Sequence, residues 1–194
     1  MVGTLSQDNI YLISYADGTA FLDALSKAGI NSRIKIYGAS AFAQSSSLTA
    51  NQSAAGFAEQ SMLQCPVFGF DEEAASIYNP IQIRIFNTIG SNVSIYALAA
   101  YDILWTTVIA RLTQENNPDF AAFKAHFIET AAGYYGATGR TELDTNGDRM
   151  HAIYDFWTIG NANSKYVWQL SAKYNTTDKS LRRIHLNAGA FRLP

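Results

Sequence analysis

The sequence predicts an α/β fold, a sheet covered by helices. Short apolar runs of strand length alternate with segments whose apolar residues recur at helical spacing, and the order at the start is strand, helix, strand. Only 15% of the 194 residues are charged and 13% are aromatic, which indicates extensive buried or partner-covered surface. A chain of this length forms one sizeable domain or two small lobes.

The first three elements form a βαβ unit. The apolar run IYLISY at 10–15 predicts a strand, and Phe21, Leu22 and Leu25 then share helical spacing before Gly29 ends the helix. The run IKIYG predicts the second strand. The loops after both strands, YADG and ASAFAQ, therefore lie at the carboxyl edge of the sheet, where open α/β sheets bind ligands.

Helices predominate in the middle of the chain. A Ser-rich loop, AQSSSLTANQS, is followed by a strand-like stretch within 54–68. Residues 72–89 predict a helix interrupted by Pro80, and residues 93–112 predict a long one. Asp102 in the middle of the long helix favours a buried amphipathic helix over a membrane span.

The end of the chain returns to strands. A third helix is predicted over 119–132, with an Asp start and a Gly stop. Residues 134–143 and 151–158 predict strands around the turn NGD, and residues 166–173 predict one more.

The segment ELDTNGDRMHAIYDFW, at 142–157, resembles a calcium-binding loop. Asp144, Asn146 and Asp148 stand at alternate positions and Asp155 is the twelfth residue. Such a loop requires Gly at position six and Glu at position twelve, but position six is Arg149. The sequence therefore predicts a structural turn rather than a metal site.

The composition excludes several other classes of function. A net charge of −2 without a Lys/Arg run argues against nucleic acid or an anionic membrane as partner. The single cysteine, Cys65, forms no internal disulfide and is interpreted as a small core residue. His126, His151 and His185 lie in separate contexts, and the sequence has no nucleophile elbow or phosphate-binding glycine motif. We therefore predict a protein that is not an enzyme and carries no cofactor.

Five segments together resemble one known family: DNIYLISYADGTAFLDALSKAGI, IKIYGASAF, AAGFAEQSM, ALAAYDILWTTVIARL and GYYGATGRTELDTNGDRMHAIYDFWTI. They are similar, in this order, to the C-terminal half of the type I periplasmic binding proteins. These include the substrate-binding subunits of branched-chain amino acid ABC transporters and the related receptor ligand-binding region. The resemblance covers about residues 8–170 and is most specific in the last two segments.

The resemblance implies a Rossmann-like three-layer lobe that is incomplete relative to the full two-lobe fold. Residues 1–69 with 150–194 would form the α/β portion of the second lobe, and residues 70–149 the mainly helical part of the first. It implies an extracytoplasmic solute-binding protein, or half of one, that traps a small molecule such as an amino acid or carboxylate between lobes. The alternative is a ligand-sensing or interaction domain of a receptor.

Ligand contacts are implied for the loops after the first two strands. The first loop maps onto Tyr15, Ala16, Asp17 and Gly18, and the second onto Ser40 with Phe42 nearby. Family members often have an acidic residue at the position of Ser40, where it pairs with a ligand ammonium. Asp17 is a candidate for that role here, or it caps the following helix.

The implied partners are an ABC permease and a second copy of the chain. A truncated first lobe would expose strand edges and apolar helix faces, which predicts a homodimer or a domain-swapped assembly. The resemblance implies a periplasmic or extracellular location, although MVGTLSQDNIYLIS lacks the basic segment and cleavage site of a signal peptide.

Overall fold

The computed structural model describes residues 9–15, 17–30, 34–114 and 119–184. The chain divides into two compact units. Unit 1 comprises Met1–Val67, Asp155–Tyr174 and Leu181–Pro194, and unit 2 comprises Phe68–Tyr154 and Asn175–Ser180. The assignment of these units to the two lobes of the family stays a prediction.

Unit 1 opens with the predicted βαβ arrangement. Strand β1 (Asn9–Leu12) is followed by helix α1 (Asp17–Lys27) and strand β2 (Lys35–Gly38). The two strands are parallel, with Asn9 opposite Lys35 and Leu12 opposite Gly38. Both strands therefore end at the same edge, as the sequence predicts.

The segment after β2 is more helical than predicted. The Ser-rich loop contains helix α2 (Ser46–Ala50), and helix α3 (Gln52–Gln60) occupies the first part of the stretch predicted to contain a strand. Asn51 caps α3, because its Oδ1 accepts a hydrogen bond from the Ala54 backbone N at 3.0 Å. Strand β3 is confined to Cys65–Phe68, and a parallel bridge joins Tyr37 of β2 to Gln64 just before it.

The helices of unit 2 follow. Glu72–Ala74 forms a single 3-10 turn and helix α4 (Ala75–Ile89) then continues through Pro80 without the predicted interruption. Pro80 is inside this helix and cannot donate a backbone hydrogen bond there, yet the helix continues past it to Ile89. Helix α5 (Ile95–Thr113) and helix α6 (Phe120–Gly133) lie where the sequence predicts them, and Asp119 caps α6 through Ala122 N at 2.8 Å.

The predicted strand over 134–143 is reduced to two short strands. Strands β4 (Tyr135–Gly136) and β5 (Gly139–Arg140) pair antiparallel around a tight turn. Strands β6 (Ile153–Ala162), β7 (Lys165–Asn175) and β8 (Ser180–Arg183) then complete a four-stranded sheet in the order β3-β6-β7-β8. Asn163 and Ser164 link β6 to β7, both with positive φ, which is typical of a two-residue hairpin turn. The sequence analysis did not predict β8.

The core of unit 1 is apolar and extensive. Leu22, Ile36, Phe42 and Leu63 are completely buried, and Trp168 from β7 packs on the same cluster. The Trp168 ring meets the Phe42 ring edge-on, with centroids 6.3 Å apart. The alternation of Ile10 and Leu12 with exposed Tyr11 shows that β1 turns one side toward this core.

Unit 2 buries much less apolar surface. Its core cluster contains Ile95, Leu98 and Ala137, with partly buried aromatic and aliphatic residues around them. Helix α4 has no buried residue. Helix α5 is long and apolar enough to cross a membrane by length and composition alone, a property that core helices of soluble proteins share.

Candidate functional site

The two loops implied as ligand contacts lie next to each other at the carboxyl edge of β1 and β2. The parallel register ends both strands at the same level, at Leu12 and Gly38. The Ala39 backbone N donates to the Leu12 carbonyl oxygen at 2.9 Å, which holds the start of the second loop against the end of the first strand. This edge brings together the predicted residues of both loops.

The first loop presents an aromatic ring and a carboxylate to solvent. Tyr15 is 74% exposed, and its carbonyl oxygen accepts a hydrogen bond from Gly18 N at 3.2 Å. Asp17 is exposed and is the first residue of α1, where a negative charge interacts favourably with the helix dipole. Ala16 lies outside the described residues. The position of Asp17 is compatible with either role proposed for it, ligand contact or stabilisation of the helix start.

The second loop places its two predicted residues differently. Ser40 is exposed, and its carbonyl oxygen accepts from Ala43 N at 3.2 Å within a tight turn. Phe42 is completely buried, and a Cβ on Gly18 would come within 2.8 Å of its ring. Phe42 and Gly18 therefore form the packed floor beneath the loops, whereas Tyr15, Asp17 and Ser40 offer groups to a ligand.

Hydroxyl groups that the sequence analysis did not single out connect the start of α1 to the start of α2. Thr19 Oγ1 lies 2.9 Å from Ser47 Oγ, which lies 2.7 Å from Ser45 Oγ. The Trp168 indole N–H donates to the Ser45 carbonyl oxygen at 3.0 Å. The Ser-rich segment AQSSSLTANQS is the sequence feature that indicates these hydroxyl groups. Its position opposite the start of α1 could not be predicted from helical spacing.

The NGD segment forms a turn stabilised by one carboxylate. Asp144 Oδ1 accepts hydrogen bonds from Asn146 N at 2.8 Å and from Asp148 N at 2.9 Å. Gly147 has a φ of +89°, a conformation that glycine adopts without strain. An antiparallel bridge between Leu143 and Arg149 closes the turn. The Asp144 carboxylate is thus occupied by backbone N–H groups.

The described histidines are engaged in separate hydrogen bonds. His126 Nε2 lies 2.9 Å from Thr113 Oγ1, whereas His151 Nε2 lies 2.9 Å from Glu142 Oε2. His185 lies outside the described residues. Within residues 9–15, 17–30, 34–114 and 119–184, no group of three or more His, Cys, Asp or Glu residues is arranged to hold a metal ion.

Unit 2 contains a buried carboxylate that joins the two segments most specific to the family resemblance. Asp102 of α5 is 2% exposed and accepts hydrogen bonds from the Ala137 and Thr138 backbone N atoms, both at 2.7 Å. The Thr138 hydroxyl donates to the same carboxylate. A Cβ on Gly136 would overlap the carboxylate, so this approach requires glycine. The motif YGATG therefore folds around Asp102.

Arg149 completes this buried network. Its Nη1 and Nη2 donate to the Thr138 hydroxyl and carbonyl oxygens at 2.6 and 2.7 Å, and its Nε donates to the His151 carbonyl oxygen at 2.8 Å. Its guanidinium lies 5.3 Å from the centroid of the Phe68 ring. Burial lowers the pKa of Arg149 from its usual value, and the Asp102 carboxylate partly opposes that effect. The Asp102 carboxylate and the Arg149 guanidinium thus both have hydrogen-bond partners within unit 2.

A cavity of about 630 Å³ lies beside this network. Its walls are mainly apolar and include Phe68, Ala99, Ile103, Phe127, Leu143 and Tyr154. Two wall hydroxyls are already bonded: Thr106 donates to the Asp102 carbonyl oxygen and Thr141 to the Ala131 carbonyl oxygen, both at 2.8 Å. The sequence analysis predicted neither the cavity nor the role of Asp102, which it used only to argue against a membrane span.

Comparison with solved structures shows a likeness in fold. An ABC transporter substrate-binding protein from Desulfitobacterium hafniense matches with a TM-score of 0.57 and 18% identity, over 84% of this chain and 44% of that chain. A structure of an ABC transporter substrate-binding protein from the same organism in complex with Leu matches with a TM-score of 0.50 and 18% identity, over 84% of this chain and 43% of that chain.

Those matches establish the mixed α/β fold and its partial extent. The chain spans less than half the length of these structural neighbours. No family model matches the sequence, and no curated protein matches it. The predicted α/β fold, incomplete relative to the full two-lobe protein, is confirmed.

Proposed function

We propose that the chain is an extracytoplasmic solute-binding protein, or half of one, of the branched-chain amino acid type of ABC transporter. The observation that carries this proposal is the likeness in fold to ABC transporter substrate-binding proteins over 84% of the chain. Those neighbours are named as binding proteins, which supports a binding role rather than an enzymatic one. The carboxyl edge of β1 and β2 is the proposed position of the ligand in unit 1.

The ligand is proposed to be a small molecule such as an amino acid or a carboxylate. One structural neighbour holds Leu, which supports an amino acid. In our proposal, Asp17 pairs with the ligand ammonium, the Tyr15 ring covers its apolar part, and the Ser40 hydroxyl donates or accepts one hydrogen bond. Gly18 and Phe42 shape the floor of the site, and Ala16 stays an implied contact of the same loop.

Two partners belong to the same proposal. A permease would receive the ligand in the periplasmic or extracellular space, as the class of the neighbours suggests. A second copy of the chain would form a homodimer or a domain-swapped assembly, because unit 2 has many exposed large apolar side chains.

A thermal-shift screen with the standard amino acids and small carboxylates tests the binding role. A ligand at one hundred times its Kd stabilises the folded protein by about 2.7 kcal/mol, which raises Tm by several degrees. No shift with any compound at millimolar concentration would contradict the proposal.

Three variants locate the site once a ligand is found. Asp17→Asn keeps the shape and removes the charge, so an amino acid should bind roughly 10–100-fold more weakly, whereas a carboxylate without an ammonium should be unaffected. Tyr15→Ala should weaken binding, whereas Tyr11→Ala should not, although both rings are 74% exposed. Equal losses in the two Tyr variants would argue against the proposed loop.

A further inference from the structure

The outward side of α5 in unit 2 is apolar and almost uncharged. Its buried residues recur at helical spacing on one side, from Ile95 to Ala110. The other side exposes large apolar side chains by 44–79%: Tyr96, Ile103, Leu104, Trp105 and Leu112. Asp102 and Arg111 are the charged residues of the helix, and Asp102 is buried. An apolar stretch of this size on a folded unit indicates a contact surface.

The cavity beside the Asp102 network continues this surface. Ile103 both lines the cavity and is 60% exposed, and Phe127 of α6 forms part of the opposite wall. The Thr106 and Thr141 hydroxyls are already bonded to backbone carbonyl oxygens. The wall is mainly apolar, so an apolar side chain from a protein would gain contact there, and the exposed Asp148 is the part of the lining that would stay toward water.

The exposed area is sufficient for a specific interface. Six side chains are exposed by 44–80%: the five of α5 and Phe120 at the start of α6. With about 200 Å² for each large side chain they provide roughly 750 Å². Each partner in a standard-size protein interface contributes about 800 Å².

The charge pattern favours a second copy of the same chain. A two-fold interface brings the same patch from both copies together, so a patch with many like charges would repel itself. Here Arg111 is the one charged residue on the exposed side of α5, and it stands in the last turn of the helix, where it can remain at the rim. A membrane is a poorer partner, because α5 would have to leave the backbone donors that bind the buried Asp102 carboxylate.

We propose that the uncharged side of α5, together with the adjoining cavity, is the surface through which two copies of this chain associate. Each copy places apolar side chains of α5 against the α5 and cavity wall of the other. This inference rests on the homodimer proposed above and assigns the α5 surface as its interface. The inference does not depend on ligand binding.

Light scattering and sedimentation of the full chain over a range of concentrations test this surface. The wild type should have twice the 21.3 kDa mass of one chain. Leu104→Lys should weaken association at least about tenfold, because it brings two like charges into an apolar contact. Ile83→Lys on α4 is the matched control, since Ile83 is 62% exposed and Leu104 is 61% exposed. It should leave the mass unchanged.

Several outcomes would overturn the proposal. A wild type that stays monomeric at high concentration would refute it, and so would a control that dissociates as readily as Leu104→Lys. Flotation of a monomeric wild type with phosphatidylcholine–phosphatidylglycerol vesicles would identify a membrane as the partner instead. Circular dichroism confirms that each variant is folded. The ligand-binding proposal is tested separately. If Leu104→Lys still shows a ligand-induced thermal shift, a change in its mass bears on the association surface and not on ligand binding.

Discussion

The two units of the chain are stabilised in different ways. Unit 1 has a cluster of thirteen buried residues, in which Phe42 and Trp168 pack edge-on. The corresponding cluster of unit 2 has three buried residues. Unit 2 instead contains the buried hydrogen-bond network of Asp102, Thr138 and Arg149. Apolar burial dominates the first unit, and a polar network organises the second.

This difference explains where the apolar surface of the chain remains uncovered. Each large apolar side chain that is fully buried contributes about 1.5–3 kcal/mol, so the buried cluster is a major source of stability in unit 1. In unit 2 a network of this kind defines a geometry but contributes little net stability, because burial of the charges offsets their attraction. Among the described residues, unit 2 has more exposed large apolar side chains than unit 1.

The largest expected effect comes from breaking the network of unit 2. Asp102→Ala leaves the Ala137 and Thr138 N–H groups without their acceptor and removes the negative charge near the partly buried Arg149. We expect the free energy of unfolding to fall by about 3–5 kcal/mol. Urea unfolding followed by circular dichroism measures it.

Asp148→Ala is the control for this change, because Asp148 lines the same cavity but is exposed. Its effect should stay within about 0.5 kcal/mol. Equal losses for the two variants would show that the network does not organise unit 2 in the way the hydrogen bonds indicate.

A smaller effect is expected from overpacking unit 1. A Cβ on Gly38 would overlap the Cys65 sulfur, so Gly38→Ala should cost about 1–3 kcal/mol of unfolding free energy. Cys65→Ala removes the obstructing atom, and the double variant should recover part of the loss. Additive losses in the double-mutant cycle, measured by urea unfolding, would mean that the two positions do not compete for space.

A gradual effect, which becomes comparable to the Gly38→Ala loss only near pH 11, is a dependence on alkaline pH that belongs to unit 1. Burial raises the pKa of the Cys65 thiol to about 12 from 9.0. The folded state thus binds the Cys65 proton more tightly than the unfolded state does. This difference adds to the free energy of unfolding at any pH below the pKa of the unfolded thiol, and the added free energy is lost as the pH rises toward the pKa of the folded thiol. Between pH 9 and pH 11 the loss should approach about 1.4 kcal/mol per pH unit.

Cys65→Ala should lose less stability than the wild type over this alkaline range. The comparison between the two proteins is needed because burial also raises the pKa of Tyr78, Tyr134 and Tyr135 in unit 2. Their contribution is present in both proteins and cancels in the difference. Parallel pH profiles of unfolding free energy would contradict the role assigned to the thiol.

The regular elements were largely predictable from local patterns. The apolar run before Tyr15 and the spacing of Leu22 and Leu25 place β1 and α1 within a few residues of their observed bounds. The main error concerns residues 134–143, which form two short strands. Within 54–68 the strand is confined to Cys65–Phe68 and a helix precedes it. Small residues such as Ala54 and Ala58 suit a buried helix as well as a strand, so the pattern alone did not locate the strand within this stretch.

The candidate site was only partly predictable. The βαβ order correctly placed the loops with Tyr15, Asp17 and Ser40 at one edge, because parallel strands must end together. The burial of each side chain could not be predicted from local patterns. Phe42 is completely buried because it packs against Trp168, which is far away in the sequence. The roles of these residues in ligand binding stay predictions.

By itself the sequence determined the α/β class, the order of most elements and the edge at which two loops meet, because these follow from local periodicity and chain geometry. The tertiary structure alone decided that Asp102 meets the YGATG turn, that Arg149 closes the network, and that α5 keeps one side uncovered. Contacts between distant segments depend on how each helix is rotated about its axis, and that rotation is set by packing rather than by any local pattern.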